Sequence, residues 1–307
     1  MSGMSMALAM LIANPVILGA TPAPISQAAQ PGEAPQDDVV QGDADAHLRM
    51  TVAVAVHGVG PYRFLIDTGS QRTVVSTTLA GALGLVQGPQ VRVVGIAGAH
   101  DVATARVESI TVGPRAFYDL TVPLLERANM GADGILGTDS LQHQRVLLDF
   151  ARNTIAIGDM AETGGARGFE IVVRAKQRSG RLILTDALVD GVRTDVIIDT
   201  GASGTIGNRA LQDALTKKRR QAMLKGSVSS VTGQELAVDL GVADKLELGG
   251  IGVTNVVIAY ADAPAFGELK LGRKPAMFLG MRELRAFKRV AIDFTKRKVS
   301  FDLVGTP

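Results

Sequence analysis

The chain has no cysteine, no tryptophan and only three tyrosines among its 307 residues. Without cysteine there is no disulfide scaffold, thiol nucleophile, thiolate metal centre or lipid-modified amino-terminal cysteine. The compartment stays open, because a chain of this size folds without disulfides on either side of a membrane. With aromatics at 4%, the core has to come from Val, Ile, Leu and Ala, while 35 glycines mark many turns. That balance predicts many short strands and few, short helices. Neither sign of charge dominates: 32 Lys and Arg stand against 30 Asp and Glu, a net +2, which gives no support for a nucleic-acid partner. The densest basic run, Lys217-Lys218-Arg219-Arg220, follows a helix-like stretch and reads as a solvated helix end.

Long apolar runs are missing too. Met6 to Ala20 is short and broken by Asn14-Pro15, which does not suit a membrane span. Small residues and Ser26-Gln27-Ala28 follow it, so residues 1–28 read as a signal peptide, although no Lys or Arg precedes the apolar run. Residues 29–46, rich in Pro, Ala, Gln and Asp, are expected to be a flexible segment. The location expected from these features is periplasmic or secreted, with no stable membrane span after signal removal. His47, His57, His100 and His143 are scattered without metal-ligand spacing, so no metal and no cofactor are expected. No G-x-S-x-G nucleophile elbow occurs, and the Gly-rich stretches lack a strand-loop-helix phosphate signature.

What is present is a duplication. AVAVHGVGPYRFLIDTG at 53–69 and ALVDGVRTDVIIDTG at 187–201 each give an apolar strand, a Gly-containing turn (His57-Gly58, Asp190-Gly191) and a second apolar strand ending in Asp-Thr-Gly. After each triplet come a small residue (Ser70, Ala202), a Thr with apolar followers (Thr73, Thr205) and a capped helix opened by Ser76 or Asn208. A glycine-bearing turn follows in each half: Gly95-Ile96-Ala97-Gly98 and Ser230-Val231-Thr232-Gly233. Next come Ile135-Leu136-Gly137 and Phe278-Leu279-Gly280, then strand pairs opening with Val146 and Val290. Residues 47–163 and 168–304 are therefore expected to be two related lobes, joined near Gly164–Gly168. One Asp-Thr-Gly arises by chance in about 6% of chains this long at average composition. Two copies at equivalent places in a repeat point instead to a shared site. Asp149 and Asp293 also match each other, and read as structural turn residues.

On FLIDTGS at 64–70, IIDTGAS at 197–203 and the apolar-apolar-Gly elements at 135–137 and 278–280, the chain resembles the pepsin and retropepsin superfamily of aspartic peptidases. The resemblance covers roughly residues 48–303. It implies an all-β, bilobal acid-protease fold with an active-site cleft between two pseudo-two-fold-related, barrel-like lobes. It further implies that Asp67 and Asp199 form a catalytic pair, that Thr68 and Thr200 brace their loops across the lobe boundary, and that Gly69, Ser70, Gly201 and Ala202 complete those loops. Gly137 and Gly280 would sit behind them, and the turns at 95–98 and 230–233 would act as flaps over an extended polypeptide substrate. The small lobes and the absence of Tyr from the first flap place the resemblance nearer the retropepsins, with one duplicated lobe acting as a monomer. The implied activity is aspartic endopeptidase; the alternative is a non-catalytic peptide-binding or inhibitory module on the same fold.

Overall fold

The computed structural model describes residues 39–45, 48–158, 169, 171–218 and 223–303. The expected signal peptide, residues 29–38, His47, the join at Gly164–Gly168 and Arg219-Arg220 lie outside the described residues. Strands β1 (Val39–Gln41) and β2 (Asp43–Ala44) lead into the first half. The hairpin β3 (Met50–Val56) and β4 (Val59–Ile66) follows, then β5 (Val74–Ser76), helix α1 (Thr77–Ala82), β6 (Gln87–Val94), β7 (Ala99–Val112) and β8 (Arg115–Leu125). Helix α2 (Arg127–Met130), β9 (Gly134–Leu136), α3 (Thr138–Leu141), β10 (Arg145–Asp149) and β11 (Thr154–Gly158) complete it. The second half runs β12 (Ile171–Arg174), β13 (Lys176–Arg178), β14 (Arg181–Val189), β15 (Val192–Ile198), β16 (Thr205–Gly207), α4 (Arg209–Lys218), β17 (Leu224–Ser229), β18 (Glu235–Leu248) and β19 (Ile251–Tyr260). It ends with α5 (Pro264–Glu268), β20 (Ala276–Leu279), α6 (Met281–Leu284), β21 (Phe287–Asp293) and β22 (Lys298–Leu303).

The two halves fold alike, strand for strand. One sheet has the order β2-β3-β4-β9-β5-β8-β7-β6, and the other β13-β14-β15-β20-β16-β19-β18-β17. The opening hairpins turn at His57-Gly58 and Asp190-Gly191, all four at positive φ, the mirror-image turn that matches strand twist. The helix caps are alike as well: Leu79 N–H donates to Ser76 Oγ at 3.1 Å, and Leu211 N–H to Asn208 Oδ1 at 2.9 Å. In each sheet the strand that ends in Asp-Thr-Gly runs parallel to the apolar-apolar-Gly strand, β4 beside β9 and β15 beside β20. The strand after the triplet returns antiparallel on its other side, β5 on β9 and β16 on β20. The Asp loop is thereby pinned between two crossing segments. This is the all-β, bilobal acid-protease fold.

The closing strand pairs leave their lobes and build a third sheet, ordered β1-β11-β10-β21-β22-β12. Leu147 pairs with Ala291 at the centre of the β10–β21 seam, flanked by Arg145 opposite Asp293 and Asp149 opposite Arg289. Val146, Leu148, Val290 and Ile292 on this seam are fully buried in a core shared by both halves, each contributing roughly 1.5–3 kcal/mol. Asp149 and Asp293 accept from the backbone amides of Arg152 (2.9 Å) and Lys296 (2.7 Å) in the hairpin turns. The flexible segment expected over 29–46 needs correction at its end. Val39–Gln41 pairs with β11 and Asp43–Ala44 with β3, because both partners otherwise present an open edge. No helix among the described residues is long and apolar enough to cross a membrane.

Candidate active site

Asp67 and Asp199 come together at the floor of a cleft of about 840 Å³ between the lobes. Each backbone N–H donates at 3.0 Å to the crossing strand, Asp67 to Leu136 O and Asp199 to Leu279 O. Each side chain folds back on its own loop. Asp67 Oδ1 accepts from Gly69 and Ser70 N–H, both at 2.8 Å, and Asp199 Oδ1 accepts from Gly201 and Ala202 N–H at 3.0 and 3.1 Å. Among the described residues, Oδ2 of each has no backbone donor. A methyl group on Gly69 would meet Asp199 Oδ1 at 2.6 Å, and one on Gly201 would collide with the Asp67 carboxylate. The two carboxylates are thus seated reciprocally, each against the other loop's glycine, where any side chain would separate them.

The threonines lock the loops across the lobe boundary. Thr68 Oγ1 donates to Ile198 O at 2.8 Å and accepts from Thr200 N–H at 3.3 Å. Thr200 Oγ1 donates to Ile66 O at 2.6 Å and accepts from Thr68 N–H at 3.1 Å. Both residues are buried, so breaking any of these bonds strands a polar group in the interior. Gly137 and Gly280 lie behind the loops, where a methyl group would run into the carbonyls of Arg72 and Gly204. Thr73 and Thr205 take up their amides: Gly137 N–H to Thr73 Oγ1 is 3.2 Å and Gly280 N–H to Thr205 Oγ1 is 3.1 Å. These hydroxyls are anchored in turn on carboxylates, Thr73 on Asp139 at 2.7 Å and Thr205 on Glu283 at 2.6 Å.

The electrostatics follow from this seating. Both carboxylates are half-buried and open to the cleft. Burial raises Asp67 above the ordinary carboxylate value against the pull of its two amide donors, Arg181 and Arg49. Burial and then the Asp67 charge push Asp199 up to about 7. Two carboxylates this close favour holding one proton between them.

The two turns predicted as flaps are the tips of the β6–β7 and β17–β18 hairpins, and they meet over the cleft. A methyl group on Gly95 would lie 2.9 Å from Ser230 Oγ. Each tip also inserts an apolar side chain into the opposite lobe. Ile96 packs on a cluster containing Ile206, Phe266 and Phe278, and Val231 on one containing Val74, Met130 and Ile135. Gly95, Ile96, Ser230 and Val231 line the cleft; Ala97, Gly98, Thr232 and Gly233 do not. His100, beside the first tip, lies in β7 opposite Val93 and is half-buried.

Several site residues were not legible in sequence. Asp139 and Glu283 differ in type and stand two and three places after their glycines, so overlaying the halves does not match them. Arg49 and Arg181 were findable: each stands eighteen residues before its Asp, just upstream of the strands compared. Both are buried and line the cleft. Arg49 is paired with Asp45 at 2.7 Å, while Arg181 Nε donates to the Gly69 carbonyl.

Fold and site together define a two-lobed, retropepsin-like protein. The aspartyl protease family model matches residues 52–140 and 185–282, one segment per lobe, each holding one Asp-Thr-Gly. The chain belongs to the aspartyl protease family. Comparison with curated proteins gives no match.

Proposed function

We propose that the chain is an aspartic endopeptidase acting as a periplasmic or secreted monomer on extended polypeptides, with Asp67 and Asp199 as its catalytic pair. The observation that carries this reading is the reciprocal seating of the two carboxylates beneath two hairpins. Both half-sites belong to one chain, which supports action as a monomer.

With one proton on the pair, the ionised carboxylate takes a proton from a water as its oxygen attacks the scissile carbonyl carbon. The protonated partner gives its proton to the carbonyl oxygen, which leaves a neutral gem-diol. The diol collapses as the C–N bond breaks. The departing nitrogen takes the proton held by the first carboxylate, and a diol hydroxyl returns one to the second. The pair titrates as a unit, so acid and base are not assigned to particular residues. The reaction as drawn uses no metal and no cofactor. An extended substrate would pair its backbone with the hairpin strands and send alternate side chains to opposite walls.

The test is digestion of an unstructured protein between pH 4 and 7. Asp67→Asn and Asp199→Asn should each abolish cleavage, and a statine-type inhibitor should block it. Full activity in either variant would rule out a shared pair.

A further inference from the structure

We propose that the cleft selects acidic polypeptides, with Arg181 holding an Asp or Glu side chain beside the scissile bond. Arg72, Arg92 and Arg282 then attract further acidic residues along the cleft. This inference rests on the peptidase reading of the same site.

Among the described residues, the charged side chains lining the cleft apart from Asp67 and Asp199 are five arginines, Arg49, Arg72, Arg92, Arg181 and Arg282, with no Lys, Asp or Glu. The whole chain carries 32 basic and 30 acidic residues, so this one-sided lining is a local concentration. Low-dielectric walls strengthen the field of such a lining and draw in ligands of opposite charge.

Arg49 and Arg181 occupy equivalent places in the two lobes but differ in what they hold. Arg49 is filled from within the chain: Asp45 Oδ2 accepts from its Nε at 2.8 Å and lies 2.7 Å from its Nη2, a charge-assisted contact on one carboxylate oxygen. Arg181 has no such occupant. Only 7% of it is exposed, and its Nε is committed to the Gly69 carbonyl. Among the described residues its Nη groups find no acceptor, and none of Arg72, Arg92, Arg181 and Arg282 makes an ion pair. The carboxylates that act on Arg181 from a distance are Asp67, Asp199 and the exposed Glu268. A buried guanidinium with open donors beside the reacting bond suits a planar carboxylate. Asp45 on Arg49 shows the same interaction in the other lobe.

The test uses peptide pairs identical except for Glu or Gln at the residues flanking the scissile bond, assayed near pH 6 in low salt. The Glu peptides should have kcat/KM roughly 10- to 100-fold higher, the range for a hydrogen bond to a charged group. Arg181→Gln should bring the Glu/Gln ratio close to one, and Arg181→Lys should keep part of it. The preference should also fade below about pH 4, where the substrate carboxylate is protonated. If Arg181→Gln does not fold, the exposed pair Arg72→Glu with Arg282→Glu should still lower the ratio several-fold and remove its salt dependence. Equal cleavage of Glu and Gln peptides by the wild type overturns the proposal and leaves the peptidase reading intact. So does an Arg181→Gln variant that slows both peptides equally, since a role confined to the carboxylate pair would act on both. If the wild type cleaves neither peptide, the peptidase reading falls, and fluorescence anisotropy with the same labelled peptides decides this proposal. Tighter Glu-peptide binding that Arg181→Gln abolishes supports it; equal binding overturns it.

Discussion

Replacing Asp199 by Asn should stabilise the protein while destroying its site. In the fold, burial and the neighbouring Asp67 charge push Asp199 from the ordinary 3.8 up to about 7. A carboxyl raised in this way contributes stability that is fully present below pH 3.8 and is lost as pH climbs through about 7. At ~1.4 kcal/mol per pH unit, ionising Asp199 costs the fold almost nothing near pH 3, about 1–2 kcal/mol at pH 5 and about 4 kcal/mol at pH 8. Asparagine has the same shape, stays neutral and keeps an oxygen for the Gly201 and Ala202 amides, so the variant avoids that cost. Water in the cleft screens part of the charge, so the gain at pH 8 should be about 2–4 kcal/mol. At ~2 °C per kcal/mol for a chain of this size, Tm should rise by about 4–8 °C at pH 8 and by about 2–3 °C at pH 5. Thermal unfolding followed by circular dichroism suits a chain without tryptophan. A variant that melts with the wild type at pH 8, or a gain that does not grow between pH 5 and 8, would refute the argument that the carboxylates repel each other in a buried site.

Cleavage itself should decline as pH rises through about 7, because the pair then loses the shared proton; a kcat/KM profile that stays flat to pH 9 would contradict this. Thr200→Val removes a donor to Ile66 O and an acceptor for Thr68 N–H in the buried loop contact, so it should cost about 2–4 kcal/mol in urea unfolding, with Thr200→Ser recovering most of it. Gly280→Ala drives a methyl group into the Gly204 carbonyl, where only backbone can yield; activity should fall at least tenfold, measured as kcat/KM on one peptide. Ile96→Ala withdraws the first hairpin tip from the opposite lobe; with about 1–2 kcal/mol of packing lost, KM should rise several-fold and limited proteolysis should cut near Gly95 sooner.

The alternating strands, the Asp-Gly and His-Gly turns, the helix caps and the two Asp-Thr-Gly triplets are local in character. Strand period, turn conformation and capping are set by residues a few positions apart. For that reason the sequence determined the all-β class, the duplication and the identity of Asp67 and Asp199. Contacts at long range were decided by tertiary structure alone. The closing strands of each half pair with each other across Leu147 and Ala291, although either hairpin pattern would equally suit a sheet confined to its own lobe. Residues 39–44 look flexible by composition yet form strands, since open sheet edges offer their backbone partners. Asp139 and Glu283 support equivalent threonines from non-equivalent positions, and hydrogen-bond geometry accepts either carboxylate where sequence overlay does not. The triplets told which two carboxylates to watch. Only the fold could seat each against the other's glycine, because closeness between residues 132 positions apart depends on how the strands cross.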